Sequence, residues 1–243
     1  MDRQVYDRMR ELEDRHWWFS ARRDILSDQI GRLGLRVGAQ VLEVGCGTGG
    51  NLAMLARFGA VTGMEPDTAA RGFAAEKAGV PVEAGMLPDG LPFKPEQFDL
   101  VAALDVIEHV DDDAGSVKAL AGLLKPGGFM VTTVPAYGWM WSHHDELHHH
   151  KRRYGLADYR RLFDAAGLKV RKASYFNTAL FGPIALVRLA KLLFRLKGAD
   201  EDSMPSATVN GLFHNLFAGE RLWLRGGGFP FGVSILLIAE RPA

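Results

Sequence analysis

Two clusters of residues have the types and spacing for chemistry. The first is Glu43-Val44-Gly45-Cys46-Gly47-Thr48-Gly49-Gly50, in which Gly45, Gly47 and Gly50 satisfy the spacing G-x-G-x-x-G. Glycines let the backbone turn sharply and let a ligand lie against bare peptide groups at a helix N-terminus, which favours an anionic group such as a pyrophosphate or a carboxylate. Glu65 follows twenty residues after Gly45, where a carboxylate can accept both hydroxyls of a ribose. The second cluster is the loop from Trp139 to Tyr154, with His143, His144, His148, His149 and His150 around Asp145 and Glu146. Histidine titrates at about pH 6.5, so it can take a proton from an attacking hydroxyl at neutral pH. His144, Asp145, His148 and His150 would also suit a metal, but their spacings are not those of a known zinc motif, and no metal is assigned.

The elements that must position these side chains show in the hydrophobic pattern. Residues 3–33 read as helices, from Val5, Met9 and Leu12 and then Ile25, Leu26, Ile30 and Leu33, with Trp17, Trp18 and Phe19 between them. Residues 41–44 form a short β-branched run that breaks into the glycines and leads to a helix over 51–59. Strands follow at 60–64, 81–83, 98–104 and 129–134, with helices at 69–78 and 113–124; the second strand ends on Glu65. Such alternation implies a parallel sheet with helices on both faces and a ligand site at the carboxyl ends of the strands. Beyond Pro135 the pattern gives a helix at 156–166, a strand at 169–175, a mostly helical stretch over 176–225 and a last strand at 233–240.

The order E-x-G-x-G-x-G, followed by an acid at the end of the second strand, closely resembles the class I S-adenosylmethionine-dependent methyltransferases. The resemblance continues through Leu91-Pro92-Phe93, Phe98-Asp99-Leu100-Val101, Asp105-Val106-Ile107-Glu108-His109-Val110 and Leu124-Lys125-Pro126-Gly127-Gly128, covering about residues 39–135. It implies a Rossmann-like, doubly wound α/β fold: a seven-stranded sheet, mostly parallel with an antiparallel last strand, plus N-terminal helices and a helical insertion before that strand. It also implies S-adenosylmethionine as cofactor. Glu43, Gly45, Cys46, Gly47 and Gly49 would hold the methionine part, Glu65 the ribose, Pro66 would lie beneath the adenine, and Asp105 would sit beside the methyl group and the substrate. Met86 stands where the family commonly carries the carboxylate that meets the adenine amino group, which leaves backbone amides and the side chains of Met86 or Leu87 for that base. A nicotinamide-dependent oxidoreductase would use the same loop, but Glu43 would crowd its pyrophosphate and the run from Asp99 to Gly128 would have no explanation. A non-catalytic cofactor-binding module would leave the 139–154 loop without a role.

Within the family, the Trp17-Trp18-Phe19 patch, the pattern H-D-E…H-x-R-R-Y from His144 to Tyr154, and Tyr175-Phe176-Asn177 resemble a subgroup with a helical N-terminal extension. Enzymes of this class place substrate-facing residues after the fifth strand. His150, or failing that His144, is therefore the expected base for an acceptor hydroxyl, with Asp105 orienting the substrate. His143, His148 and His149 are expected at the surface, and Asp99 is expected to be structural.

The 243 residues balance 29 Lys+Arg against 29 Asp+Glu and are 47% apolar, which excludes disordered and fibrous classes. The neutral total hides an asymmetry: the balance is −8 over 1–150, +10 over 151–197 and −2 over 198–243. One helix is expected over 180–197 with Arg188, Lys191 and Arg195 in a stripe, and Leu186, Val187, Leu189, Leu192, Leu193, Phe194 and Leu196 over the rest; a second places Val209, Leu212, Phe213, Leu216 and Phe217 on one face. These helices suit a lid over the site or a peripheral contact with an anionic membrane. They favour a small-molecule or lipid-linked acceptor, while no recognised RNA-binding module supports nucleic acid. The chain reads as a single domain over 1–243: an N-terminal extension (1–38), a cofactor core (39–135), a substrate side (136–175), a helical insertion (176–228) and the last strand (229–243). The single Cys46 excludes an internal disulfide framework. Without a cleavable leader or an apolar run of about 18–20 residues, a cytoplasmic protein is expected, peripheral at the inner face of the membrane. The oligomeric state is left open.

Overall fold

The structure, a computed structural model, describes residues 3–194 and 203–243. Helices α1 (Arg3–Leu12) and α2 (Trp17–Ile30) precede β1 (Gln40–Val44), α3 (Leu52–Leu55), β2 (Ala60–Met64), α4 (Thr68–Ala78), β3 (Val82–Glu83) and β4 (Phe98–Leu104). A single 3-10 turn, Ile107–His109, leads to α5 (Asp113–Leu123) and β5 (Leu124–Pro135). A second such turn (Gly138–Met140) is followed by α6 (His143–Leu147), α7 (Leu156–Ala165), β6 (Lys169–Phe176), α8 (Phe181–Phe194), α9 (Ala207–Leu224) and β7 (Ser234–Glu240).

The seven strands form one sheet in the order β3-β2-β1-β4-β5-β7-β6. The pairs from β3 to β5 are parallel, and β7 runs antiparallel to both of its neighbours, as the family resemblance implies. The chain leaves β3 and restarts on the far side of β1. That reversal opens a crevice at the carboxyl ends of β1 and β4 and sets the glycine turn beside the end of β4. Both strands are buried along nearly their whole length, as strands covered by helices on both faces must be, and Glu43 is the one charge in β1. One face carries Val117, Leu120, Tyr159 and Phe163 from α5 and α7. The other carries Ile25, Leu26, Leu52, Leu55 and Phe217 from α2, α3 and α9.

Several boundaries differ from the sequence reading for local reasons. The helix after the glycines lasts one turn, because bonds from Arg57 N to the Met54 carbonyl and from Phe58 N to the Leu55 carbonyl tighten its end and turn the chain into β2. β5 begins at Leu124, upstream of the Pro126-Gly127-Gly128 turn, because Leu124 pairs with Phe98 of β4, while the Gly127 amide donates to the Arg241 carbonyl beyond β7.

The expected lid divides into two parts. Helix α9 packs on α2: Asn210 Oδ1 accepts from Trp17 N at 2.8 Å, Trp17 meets Phe213 and Phe217 edge-on, and Arg225 pairs with Asp28 at 2.7 Å. Helix α8 instead reaches the substrate side, where Arg188 donates to the Met140 carbonyl. Lys191, Leu192, Leu193, Phe194, Arg195, Leu196 and Lys197 lie outside the described side chains. Much of the basic block is paired with acids: Lys151 with Asp111, Arg152 with Asp113, Arg153 with Asp145, Arg160 with Asp164, Arg161 with Asp158 and Arg171 with Glu240. No helix among the described residues is long and apolar enough to cross a membrane.

Candidate active site

The chain passes through left-handed backbone at Gly45 (φ +63°), Gly47 (φ +54°) and Gly49 (φ +88°), which only glycine adopts without strain. A Cβ on Gly45 would fall 2.7 Å from the Val106 side chain, so this glycine also lets the first turn sit against the end of β4. Cys46 is buried, and its amide donates to the Met64 carbonyl at 3.0 Å, tying the turn to β2. Glu43 lies beneath the turn. Its Oε1 accepts from Asn51 Nδ2 at 2.8 Å, while Oε2 has no hydrogen-bond partner among the described residues. Burial pushes this carboxyl up to about 7, against the lowering effects of the Asn51 bond and the nearby Arg22 charge.

Glu65, at the end of β2, is buried and reaches back to the turn: Oε2 accepts from Gly47 N at 2.9 Å, and Oε1 from Asp67 N and the Tyr6 hydroxyl, each at 3.0 Å. Pro66 is exposed beside it. Met86 is 65% exposed, so its side chain points largely to solvent, whereas Leu87 packs against the core.

The N-terminal helices form part of this site. Glu13 Oε2 accepts from Thr48 Oγ1 at 2.7 Å, and Lys77 closes the other side of Glu13 at 2.7 Å. From α2, Arg22 lies 2.6 Å from Asp105 Oδ2 at the end of β4. Asp105 has φ +57°, and its Oδ1 accepts from Thr133 Oγ1 at 3.1 Å. Glu108 is fully buried with both carboxyl oxygens unpartnered among the described residues. Burial and then the Asp105 charge raise its carboxyl well above the usual range, which keeps it protonated.

The histidine loop converges on the same place. Helix α6 opens with a capping box between Ser142 and Asp145, and this buries the Asp145 carboxylate. Asp145 accepts from Arg153 through two bonds (2.7 and 2.9 Å) and lies 2.8 Å from His150 Nδ1. Burial alone would raise its carboxyl; the bonds from His150 and Arg153 overcome that and hold it well below the usual range. The His150 ring meets the His109 ring at 4.7 Å, and Glu108, His109 and His150 offer ligand atoms within 4.8 Å of one another, so these three could hold a metal ion. Burial, then the neighbouring His150 and His148, lower His109 to about 3, leaving it neutral at physiological pH. His144 lies further out, its ring 6.1 Å from His150 and 4.1 Å from His148. His148, expected at the surface, is half-buried in this stack, whereas His143 is exposed and pairs with Glu146.

The structure therefore brings together Glu43, the glycine turn, Glu65, Asp105 and His150, and adds Arg22, Tyr6, Glu13, Glu108, His109 and Arg153. Asp99 lies at the opposite end of β4, where it takes the Gln40 amide and pairs with Arg36 and Lys125. The fit to an adenosyl amino acid rests on the glycine cradle, the ribose-ready carboxylate and the unpartnered oxygen of Glu43.

Residues 18–173 match the family described as a methyltransferase domain. A protein of Aeromonas salmonicida named as a ubiquinone biosynthesis O-methyltransferase is 32% identical over 189 residues, covering 70% of this chain and 78% of that protein. A protein of the same name from Methylobacterium sp. is 39% identical over 103 residues, covering 40% of this chain and 41% of that protein. Among solved structures, a chain of the complex between the Haloferax volcanii Trm112 methyltransferase activator and a methyltransferase shares the fold, with a TM-score of 0.65 and 20% identity over 99% of this chain and 95% of that one.

Proposed function

The chain belongs to the class I S-adenosylmethionine-dependent methyltransferases, and from this premise we propose that it methylates a phenolic oxygen on an acceptor with a flat ring and an apolar tail. When bound, S-adenosylmethionine supplies a methyl group made electrophilic by its sulfonium. The glycine turn and Glu65 bind the cofactor, and the end of β4 at Asp105 orients the acceptor. Holding the two reactants in line supplies most of the rate. An acceptor hydroxyl must also lose its proton. His150 Nε2 receives it, because Nδ1 is committed to Asp145 at 2.8 Å and the ring cannot swing away. Asp145 stabilises the imidazolium that forms, and Arg153 keeps Asp145 ionised and fixed.

The Asp145–His150 pair beside Glu108 and His109 is the observation that carries this reading. An aromatic wall supports the choice of acceptor: Tyr137 stacks on Tyr175 at 4.9 Å and on Trp139 at 5.8 Å, and Phe181 bridges to Phe231 at 5.3 Å. The named activity of the relatives, oxygen methylation in ubiquinone biosynthesis, points the same way. The test is transfer of a labelled methyl group to catechols with and without a prenyl chain, with the product bond identified by mass spectrometry. Label on oxygen, faster with the prenylated acceptor, supports the reading; label on nitrogen or carbon acceptors alone refutes it.

A second mechanism follows from the cluster of Glu108, His109 and His150, which could instead hold a divalent ion that polarises the hydroxyl. Loss of activity with a chelator and recovery with the ion would favour it over the base. Peripheral membrane contact is the finer proposal for location. Helix α8 exposes Leu186, Val187 and Leu189 near the exposed Trp139 and Trp141, while much of the basic block is paired within the protein. Sedimentation with anionic vesicles should therefore survive added salt, and its absence at low salt removes the proposal.

A further inference from the structure

A surface helix ordinarily turns its charges outward and its apolar face inward, and α9 departs from that pattern. Its inner side packs on α2 through Phe213 and Phe217. Its charges go to partners in the same chain: Glu220 accepts the amides of Asn177, Thr178 and Ala179, while His214 and Arg221 reach Asp24. The outer side recurs every three to four residues as Val209, Leu212, Leu216, Gly219 and Trp223, with Leu222 at its flank. The five apolar side chains are between 38% and 62% exposed, and no Lys, Arg, Asp or Glu stands among them. Together they expose about 500 Å², the size at which apolar patches on folded proteins mark a contact.

Two observations select what covers this face. The first is polar. Trp223 Nε1 donates to the Gly228 carbonyl at 3.3 Å, and Arg221 and Arg225 at the edge of the face pair with Asp24 and Asp28, so the face has little to offer lipid headgroups. The second is Gly219. It lies inside an 18-residue helix, where glycine is unfavourable, and a Cβ there would meet nothing within 4 Å, so no contact in the chain requires it. A second copy does. When two α9 helices lie antiparallel about a two-fold axis at the level of Phe217 and Ala218, Leu216 of one copy faces Gly219 of the other, and Leu212 faces Trp223. Large meets small at the centre, twice by symmetry, and the aromatic anchors close the ends. We propose that the chain forms a two-fold dimer through the outer face of α9 in this register. Two such faces together bury about 1,000 Å² of apolar surface, the scale of a specific interface. The contact is distinct from the exposed residues of α8 and does not depend on the catalytic assignment.

Sedimentation equilibrium on the wild type, Gly219→Leu and Leu216→Glu tests the dimer. The wild type should sediment at twice the mass of one chain at about 10 μM. Gly219→Leu puts a good helix former into open space, so the chain should fold as before, yet it fills the hole that receives Leu216. Each substitution enters the interface twice, and each should raise the dimer dissociation constant at least about a hundredfold. The register has its own readout. Leu212→Cys mixed with Trp223→Cys should form an intermolecular disulfide under mild oxidation. Leu212→Cys alone should not, because its two copies lie about 16 Å apart along the helices, beyond the reach of a disulfide. Cys46 is buried and adds no link of its own. A wild type that stays monomeric at about 100 μM would overturn the proposal, whether lipid or residues 195–202 then cover the face. So would a dimer that both variants leave intact, or a disulfide that forms as readily from Leu212→Cys alone as from the mixture.

Discussion

The Tyr6 hydroxyl donates to Glu65 Oε1 at 3.0 Å, from a helix that lies 59 residues upstream of that carboxylate in the chain. Burial and the Glu65 charge raise the Tyr6 hydroxyl above its ordinary pKa, so it remains a donor. Two of the four lone pairs of Glu65 are held by the amides of Gly47 and Asp67, and Tyr6 takes a third. Two ribose hydroxyls need two acceptor positions, so Tyr6 must yield one when the cofactor binds. Tyr6→Phe should therefore bind S-adenosylhomocysteine several-fold more tightly than the wild type, whereas Glu65→Ala should weaken it tenfold or more. Calorimetry checks both, and unchanged affinity in Glu65→Ala would remove the ribose assignment.

Glu43 leads to a proton-linked prediction. Its carboxyl is pushed up to about 7 in the folded protein without ligand, and a cofactor ammonium beside it favours the charged form. Near pH 6.5, cofactor binding should release a proton from Glu43. The binding enthalpy would then change with the ionisation enthalpy of the buffer, and Glu43→Gln should abolish that dependence. The sign for stability follows from the raised pKa. The contribution of protonated Glu43 is fully present below the ordinary carboxylate range and is lost as the pH rises through about 7, so Glu43→Gln should be more stable than the wild type at pH 8.

Asp145 behaves oppositely. Its carboxyl is held below the ordinary range, so its contribution is present at neutral pH and is lost as the pH falls below about 4. Asp145→Asn leaves Arg153 buried beside a neutral amide, and breaking a buried pair this way typically costs about 3–5 kcal/mol. Denaturant unfolding should show a large deficit at pH 7 that persists to about pH 4 and shrinks only as the pH falls well below it.

Two glycines separate backbone need from backbone freedom. Gly45→Ala forces a left-handed residue and a 2.7 Å approach to Val106, so it should destabilise the fold and weaken cofactor binding. Gly72 lies in α4 with nothing within 4 Å of an added Cβ, and Gly72→Ala should stabilise by about 0.5–1 kcal/mol. Thermal melts of the pair give the contrast directly.

The glycine turn, Glu65 and the succession of strands along the chain were legible because each is local: a β-branched run, a turn and an acid at fixed spacing. Tyr6, Glu13 and Arg22 were not, since they reach the site from helices that sequence pattern alone assigns to an appendage. A faint signal existed for Arg22. It shares the buried stripe of α2 with Leu26 and Gln29, and a charge among core positions requires a partner. His148 was misplaced at the surface because the short helix α6, which sets it four residues after His144 and against its ring, carries almost no hydrophobic period. The basic block suggested an anionic partner, yet its acids lie elsewhere in the chain, as Asp111, Asp113 and Asp145 show, and pair with it only once folded.

The proton path through His150 is tested most directly by single-turnover methyl transfer from labelled S-adenosylmethionine to a prenylated catechol, comparing the wild type with His150→Gln across pH. The expected result is label on the acceptor oxygen, a rate about 10²-fold lower in His150→Gln with cofactor affinity unchanged, and a pH–rate profile that differs from the wild type's. Oxygen methylation by His150→Gln at the wild-type rate and with the wild-type pH profile would contradict it.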